Sequence, residues 1–338
     1  MRVNKKRLLQ EKTITRLPPY NLIPEHQKCF AHEYQRTIPD VNLFELQNVN
    51  ISTEGIVFKK LRVFAPALLH KSRKKKYGLK YLLKNYIKRK RLNLSRREKY
   101  ILAFDEWSNG YFHWICDVLP RLVAAESYLS DSYFLLPEKY NTPFIRGTLS
   151  AFSFKGIQVI PENSYAQAPS LIIPGHTAPT GNYYPEILLK VKEKLLRLCK
   201  NNSGSGEKVY ISRKKAAYRH IENEEQVIRT AEANGFATIF FEDHTIAEQI
   251  VIAASAKYMV GLHGAGLTNI LFMNENTAVL ELKHAGDKHN LSYYSLAAVQ
   301  KIKYHYLFCE HDGKNTRLSN IKVNIDSFQK AIDQLLSN

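Results

Sequence analysis

Residues 257–273 read KYMVGLHGAGLTNILFM. The apolar run before His263 predicts a buried strand, the apolar run after Gly266 predicts a helix, and small residues join the two. Glycine lets a backbone approach an anion closely and a helix start presents free N–H groups, so the loop suits a phosphate, with His263 as a further donor. A tight turn without a ligand is the alternative interpretation of this sequence. The P-loop and GxGxxG patterns, which would favour phosphate binding more strongly, are both absent. The stretch therefore predicts part of an α/β domain, with phosphate binding as one interpretation of its loop.

Short apolar runs alternate with helical patterns on both sides of this stretch, which predicts mostly parallel sheets covered by helices. In the second half of the chain the predicted strands are KVYIS (208–212), ATIFF (237–241), KYMVG (257–261), AVLEL (278–282) and KYHYL (303–307), with helices over 224–234 and 245–254. In the first half they are YILAFDE (100–106), SYFLLP (132–137), IQVIP (157–161) and SLIIP (170–174), with helices over 112–129 and 142–151.

The segment PGHTAPTGNYYP (174–185) interrupts the alternation with proline and glycine, which predicts a linker between two domains. A chain of 338 residues also exceeds the size at which one hydrophobic core stops growing. We therefore expect two Rossmann-like α/β domains that face a cleft, with a ligand at the carboxyl ends of the strands. The expected divisions are an N-terminal extension with a basic amphipathic segment that forms part of the first domain (1–99), the first α/β domain itself (100–180), a second α/β domain (181–325) and a C-terminal helix (326–338).

Basic residues follow the first strand of the second half, in VYISRKKAAYRHIENEEQVI (209–228). The planar guanidinium groups of Arg213 and Arg219 can each hold a phosphate through paired hydrogen bonds, which suits a nucleotide diphosphate. A solvated basic loop is the alternative interpretation. Asn223 and Gln226 also fit an ordinary helix capping box.

A third polar group lies in SNGYFHWICDVLPRL (108–122). His113, Asp117 and Arg121 are four residues apart, which places them on one face if the segment is helical. An imidazole and a carboxylate one turn apart can act as a general base and the group that orients it. A capping histidine and a surface ion pair between Asp117 and Arg121 are the alternative, and Pro120 permits a helix start or a kink.

Taken in order, these stretches resemble glycosyltransferase family 61, once described as capsular polysaccharide biosynthesis proteins of unknown function. The resemblance covers about residues 100–305, through the pieces FHW…DVLPRL, ISRKKAAYRHIENEE, AEQIVIAASAKYMVGLHGAGLTNILFM and AVLEL. It implies a GT-B architecture, in which the first domain is the acceptor side and the second binds the donor. It also implies inverting, metal-independent transfer of a sugar from a nucleotide sugar to a cell-surface polysaccharide, such as capsule or lipopolysaccharide.

The resemblance also assigns roles to residues. In the acceptor-side domain we favour Asp117 as the catalytic base, with His113 orienting it or the acceptor, and the reverse assignment, with His113 as the base, is the alternative. Arg121, with Trp114 as a second supporting residue, would hold that carboxylate or a donor phosphate. Glu281 would accept hydrogen bonds from the ribose of the donor. No cofactor or metal ion is expected, and the predicted donor-binding residues are Arg213, Lys214, Arg219, Asn223, Glu224, Gln249, His263, Gly264, Ala265, Gly266, Asn269 and Glu281.

Most of the net charge of +18 lies in residues 71–99, which contain fourteen lysines and arginines and one acid, Glu98. Apolar residues within this segment follow the spacing of one helix face: Leu79, Leu82, Leu83, Tyr86 and Ile87. The pattern predicts a basic amphipathic helix that binds an anionic membrane surface. A charged face docked on the protein itself and a polyanion site are the alternatives, although no motif of a nucleic-acid-binding module supports the last.

Cysteine spacing and hydropathy indicate the compartment. Cys29, Cys116, Cys199 and Cys309 have no metal-binding or CxxC spacing, which predicts free thiols in a reducing compartment. Neither a signal peptide nor a transmembrane run is recognisable, so we expect a cytoplasmic protein that is peripheral at the inner face of the cell membrane. A basic nucleic-acid-binding or scaffold protein without catalysis is the alternative function. A nicotinamide-dependent oxidoreductase is disfavoured because GxGxxG is missing.

Overall fold

The structure is a computed structural model. It forms two compact units, one of Met1–Lys12 with Ile38–Pro179 and one of Thr13–Thr37 with Thr180–Asn338. The predicted polar loop 201–207 lies mostly outside the described residues. For residues 71–73 only the backbone is described, and the described residues as a whole are 2–68, 71–177, 179, 181–199, 206–287, 290–313, 315–316 and 318–337.

The strands in these residues are, in chain order, β1 (Val3–Leu9), β2 (Lys12–Thr15), β3 (Gln35–Ile38), β4 (Val41–Ser52), β5 (Val57–Lys59), β6 (Arg62–Val63), β7 (Lys90–Asn93), β8 (Lys99–Ile101), β9 (Ser132–Pro137), β10 (Gly156–Ile160), β11 (Ser164–Pro174), β12 (Lys208–Ile211), β13 (Ala237–Ile239), β14 (Tyr258–Leu262), β15 (Ala278–His284), β16 (Lys303–His311) and β17 (Ile321–Lys322).

The α-helices are α1 (Gln27–Phe30), α2 (Leu79–Lys88), α3 (Tyr111–His113), α4 (Leu119–Ala124), α5 (Pro143–Leu149), α6 (Pro185–Leu196), α7 (Glu224–Ala233), α8 (Ile246–Ser255), α9 (Ser292–Val299) and α10 (Ile325–Ser337). A π-helical segment, Trp114–Val118, joins α3 to α4, and a 3-10 helix, Ala265–Phe272, follows β14.

The sheet of the first unit has a parallel half and an antiparallel half. Its order is β10-β9-β8-β11-β4-β5-β6, with β1 beside β4 and β7 beside β11. Strands β8 to β11 are parallel where they pair, whereas β4 is antiparallel to β1, β5 and β11. The order reverses between β8 and β11, because β9 and β10 lie on one side of β8 and β11 on the other. In open α/β sheets such a reversal leaves a crevice at the carboxyl ends of the two strands.

The sheet of the second unit is parallel except at one edge. Its order is β13-β12-β14-β15-β16, and β17 adds to β16 in the antiparallel direction. Here the order reverses between β12 and β14. One face of the sheet is covered by α7 and α10, whose Val227 and Phe328 pack in the same buried cluster as Tyr210, Val260 and Leu280.

The structure confirms the mixed α/β class and the two parallel-rich sheets, and most predicted strands and helices lie close to their expected positions. Within residues 1–99, β1 and β4 to β7 belong to the same sheet as β8 to β11. The second unit also includes Thr13–Thr37. Helix α9 was not predicted, since SYYSLAAV is buried on almost all sides and so lacks a polar face.

Two further observations concern the cysteines and the helices. All four cysteines are free, as their spacing indicated. The described part of the chain contains no helix that is both long and apolar enough to cross a bilayer.

The predicted basic helix is present as α2, but only a few of its residues pack against the rest of the first unit. Of the apolar positions, Leu82 is buried, beside Phe58 and Tyr165. The helix is further anchored by Glu54, whose carboxylate accepts hydrogen bonds from Tyr81 Oη (2.8 Å) and Arg89 Nη1 (2.9 Å). Burial acts to raise the pKa of Glu54, but these hydrogen bonds outweigh it and lower that pKa to about 2.

We predict that Glu54→Gln lowers the free energy of unfolding by roughly 1–3 kcal/mol at neutral pH, because a charged hydrogen-bond acceptor is lost. The folded-state pKa of Glu54 lies below its unfolded value. The contribution is therefore complete above the ordinary carboxylate range and disappears as the pH falls towards about 2. Chemical denaturation of both proteins across the acid range measures this difference.

Glu275→Gln is the matched control, because Glu275 pairs with Lys301 at 3.1 Å with both side chains more than half exposed. It should change the unfolding free energy by less than about 0.5 kcal/mol. Equal effects of the two substitutions, or a Glu54→Gln difference that is constant with pH, would contradict the anchoring role.

Candidate active site

In the second unit the polar residues singled out by sequence meet where the strand order reverses. Strand β12 runs into Ser212 and Arg213, and the neighbouring β14 runs into His263 and Gly264. Parallel pairing in register brings these two strand ends side by side. The two motifs, about fifty residues apart in the chain, therefore form one cluster.

Arg213 is held in place over the glycine loop. Its Nε donates to the carbonyl of Arg219 (3.0 Å) and its Nη2 to the carbonyl of Tyr218 (2.9 Å). A Cβ on Gly264 would lie 2.9 Å from the Cζ of Arg213 and closer still to Nη1. The backbone of Gly264 is extended, a conformation that any residue can adopt. Glycine is therefore needed here because a side chain would collide with Arg213, and not because of the backbone angles. The backbone of Arg213 is fixed in turn by a hydrogen bond from its N–H to the buried carboxylate of Glu224 (2.8 Å).

Arg219 adds a second guanidinium group to the cluster, and its backbone is strained. Its φ of 63° lies in the left-handed region, which is costly for a residue with a side chain. Its Nε is buried and has no hydrogen-bond partner among the described residues. Burial lowers the pKa of Arg213, and the charge of Arg219 lowers it further. In the described residues no carboxylate forms an ion pair with either arginine, so the cluster carries positive charge that a bound anion would neutralise.

The glycine loop supplies backbone donors to the same place. Leu267 N makes the first hydrogen bond of the 3-10 helix, to Gly264 O at 2.9 Å. The N–H groups of Ala265 and Gly266 precede that bond, so the turn directs them outward as at other helix starts. The described residues contain no group of three His, Cys, Asp or Glu side chains arranged to hold a metal ion. The positive charge that the described residues contribute here belongs to Arg213 and Arg219, beside the partial charge of the backbone N–H groups.

His263 and Glu281 fill structural positions. Glu281 is fully buried and accepts hydrogen bonds from His263 Nδ1 and from Tyr304 Oη (2.6 Å). Lys283 Nζ lies 3.3 Å from the same carboxylate. Burial acts to raise the pKa of Glu281, but the charge of Lys283 and the interactions with His263 and Tyr304 lower it to about 2. The predicted contact with a donor ribose does not fit this carboxylate, because the protein surrounds it completely.

The second ring nitrogen of His263 is also occupied. Its Nε2 lies 3.0 Å from the amide nitrogen of Asn290, and burial lowers the pKa of the ring, which favours the neutral form with the proton on Nδ1. Such a ring has no N–H left for a phosphate, so the predicted donation from His263 does not fit. Its role is to fasten the loop to β15. Asn290 was missed because nothing in its surrounding sequence indicates a pairing 27 residues away.

The other predicted donor-site residues contact neighbouring parts of the protein. Asn269 is fully buried and donates to Gln249 (3.3 Å) and to the carbonyl of Gly266 (3.2 Å), which fixes the loop. Asn223 does not cap α7, because its side chain pairs with both backbone groups of Val323. Lys214 is exposed and lies 3.6 Å from Glu225. These residues shape the cluster without lining it.

The first unit has its own cluster at its reversal point. Arg121, which is 1% exposed, donates to the carbonyl of Ala103 beyond β8 (2.6 Å) and twice to the carbonyl of Pro174 at the end of β11 (2.9 and 2.7 Å). Burial lowers the pKa of Arg121 to about 10. Its donors are committed to the two strand ends, so the predicted contact with a carboxylate or a phosphate does not fit.

His113 and Asp117 form the predicted pair. His113 Nδ1 lies 2.7 Å from Asp117 Oδ2, and the side chains are 19% and 8% exposed. Burial raises the pKa of Asp117, and the hydrogen bond and charge of His113 oppose the rise. Within the described residues His113 Nε2 makes no hydrogen bond. Because the carboxylate is buried and already bound to the ring, the geometry favours His113 as the base and Asp117 as the group that orients it, the reverse of the sequence-based assignment.

Two neighbours complete this cluster. Trp114 is fully buried and donates to Thr148 (2.7 Å), so it belongs to the core and not to a surface that an acceptor can reach. Asp105, missed by sequence, follows β8, and its charge contributes to the raised pKa of Asp117 after the larger effect of burial. Its place directly after a buried strand was the signal that could have identified it.

Comparison with known proteins identifies the family of this chain. The model of the Glycosyltransferase 61 family matches residues 111–280, half of the chain. The chain belongs to glycosyltransferase family 61. It is also similar to the EGF domain-specific O-linked N-acetylglucosamine transferase of Drosophila melanogaster, with 30% identity over 98 residues. That similarity covers 28% of this chain and 18% of the relative, so the match spans about a fifth of the relative's length.

In this family 61 protein we predict that Gly264→Ala displaces the Arg213 guanidinium and weakens binding of pyrophosphate by roughly 10- to 100-fold, the usual effect of losing one charged hydrogen bond. Calorimetric titration with pyrophosphate measures the change. Gly78→Ala is the control, because its Cβ would meet only ordinary contact at 3.4 Å. Unchanged affinity in folded Gly264→Ala would show that Arg213 does not hold the anion.

Proposed function

We propose that this protein is an inverting glycosyltransferase that moves a sugar from a nucleotide-sugar donor to a cell-surface polysaccharide of the capsule or lipopolysaccharide type. The observation that carries the proposal is the pair Arg213 and Arg219, two guanidinium groups without a carboxylate partner in the described residues, over a glycine loop in a member of family 61. A diphosphate has the charge and the oxygen atoms to occupy such a cluster. The Drosophila relative is named for transfer of N-acetylglucosamine, which makes that sugar the first donor to test.

In this proposal each unit binds one of the two substrates. The second unit would bind the donor through Arg213, Arg219 and the N–H groups of Ala265 and Gly266. The first unit would bind the acceptor beside His113. We further propose that the units face each other across a cleft in the GT-B arrangement. In support of this, each cluster lies at the carboxyl end of parallel strands, where open α/β sheets bind their ligands.

The proposed reaction is a single displacement. An acceptor hydroxyl attacks the anomeric carbon, a new C–O bond forms on the side opposite the phosphate, and the bond from that carbon to the phosphate oxygen breaks. His113 Nε2 takes the hydroxyl proton, while Asp117 holds the ring and stabilises the charge that it acquires. Arg213, Arg219 and the backbone N–H groups stabilise the departing diphosphate, whose negative charge increases as the bond breaks.

We predict that the protein releases a nucleoside phosphate from one sugar nucleotide at an unchanged rate in the presence of a chelator, because arginine supplies the charge that a metal ion supplies in other transferases. A panel of sugar nucleotides, N-acetylglucosamine donors among them, is assayed for release with and without acceptor glycans. Arg213→Lys keeps the charge but loses the paired hydrogen bonds, and should lower turnover. Loss of activity in chelator that magnesium or manganese restores would contradict the metal-independent mechanism.

The second prediction concerns the base. His113→Ala should lower turnover by roughly 10²-fold or more, the usual effect of losing a general base, with little change in donor affinity. Added imidazole should restore part of that activity, because a free base can enter the space left by the ring. Asp117→Asn should also lower turnover by roughly 10²-fold or more, with donor affinity nearly unchanged.

Imidazole separates the two assignments, because it should not restore Asp117→Asn, in which His113 still occupies its place. Rescue of neither variant, together with wild-type turnover in His113→Ala, would return the role of base to Asp117. Circular dichroism and donor binding by calorimetry show whether each variant is folded.

A further inference from the structure

Helix α2 presents two different outer surfaces to solvent. Tyr81, Leu82 and Asn85 point into the first unit, where Leu82 and Asn85 are each 1% exposed. Successive residues of a helix are about 100° apart, so the positions opposite to this face form separate stripes along the axis. The outer surface is therefore determined by which residue types occupy those stripes.

One outer stripe is apolar. Leu79, Leu83 and Ile87 are four residues apart, and they are 57%, 41% and 77% exposed. The sequence places them on one helix face with Leu82, but of these four residues only Leu82 is buried in the structure. Tyr86 borders the stripe, and its hydroxyl turns back to accept from Asn50 and to donate to the carbonyl of Lys60.

The neighbouring stripe is basic. Lys80, Lys84 and Lys88 are one position further along the chain than the three apolar residues, and all three are exposed. Lys74, Lys75 and the exposed pair Lys90 and Arg91 extend this positive surface on both sides of the helix. Arg89 does not contribute, because its charge is paired with Glu54.

We propose that α2 docks this protein on an anionic lipid bilayer, with Leu79, Leu83 and Ile87 among the acyl chains and Lys80, Lys84 and Lys88 at the headgroups. A lipid surface offers both an apolar layer and adjacent negative charge, which is the combination that the two stripes match. A nucleic acid supplies the charge but has no layer for three aliphatic side chains. A second copy of the chain supplies apolar surface but would bring two strongly basic segments together.

The test uses the full chain and vesicles of phosphatidylcholine with or without phosphatidylglycerol. The wild-type protein should co-sediment with the vesicles that contain phosphatidylglycerol, and less so at high salt, since salt screens the charge. Replacing Lys80, Lys84 and Lys88 by Gln should lower the partition coefficient on the order of 100-fold, from the usual contribution of each basic residue near such a surface. Replacing Leu79, Leu83 and Ile87 by Gln should also release the protein from the vesicles.

Two control variants place the same kinds of substitution elsewhere on the surface, three lysines in one and two leucines in the other. The variant Lys28→Gln, Lys322→Gln, Lys330→Gln removes the same charge from exposed positions elsewhere, and Leu189→Gln, Leu198→Gln removes leucines that are 41% exposed on or next to α6. Both should bind vesicles like the wild type. The α2 residues in the variants are exposed, so the fold should be retained, as circular dichroism can verify.

Wild-type partition of either α2 variant would overturn the proposal. Loss of duplex DNA binding in the lysine variant, with vesicle binding unchanged, would instead identify a polyanion site. A shift from dimer to monomer in the leucine and isoleucine variant, again with unchanged vesicle binding, would identify self-association. Pyrophosphate binding is measured on the same proteins, so a failure of the docking proposal is distinguishable from a failure of the proposed transfer.

Discussion

In both units the decisive constraint is the pairing of two parallel strands at the point where strand order reverses, β8 with β11 and β12 with β14. Parallel pairing brings both carboxyl ends to one edge, and the reversal leaves the space beyond them open. In the first unit Arg121 spans the two ends and satisfies carbonyls from both strands. In the second, Arg213 from one end covers Gly264 from the other. The two clusters therefore use the same position in the sheet for different purposes.

The second cluster contains interactions that cost stability when no ligand is bound. Two guanidinium groups lie together, one of them in a left-handed backbone conformation and with a buried nitrogen that has no partner in the described chain. Such features persist only where the surroundings determine them, here through the carboxylate of Glu224 and the carbonyls of the 218–219 turn. Mutual repulsion of the charges is relieved by an anion. Strain, desolvation and charge all therefore point to the same ligand class.

Three carboxylates that are partly or fully withdrawn from solvent each have a basic partner in this protein. Glu54 anchors α2 through Arg89, Glu281 fastens the glycine loop through His263, and Asp117 orients His113. The first two have lowered pKa values, because Arg89 interacts with Glu54 and both Lys283 and His263 interact with Glu281, whereas burial raises the pKa of Asp117 against the opposing effect of His113. Asp117 is thus the least compensated of the three. That difference separates the candidate catalytic pair from its structural counterparts.

The sequence alone determined the class of fold, most strands and helices, and the three stretches from which the candidate sites are built. Local periodicity and strand-to-helix junctions depend on residues that are close in the chain, so they can be predicted from the sequence. Tertiary structure decided what each polar side chain does. Tertiary contacts engage four of the predicted site residues through hydrogen bonds with residues that are distant in the chain: Glu281, His263, Arg121 and Trp114. It also decided which face of α2 is covered, because that depends on the shape of the sheet against which the helix packs and not on the helix itself.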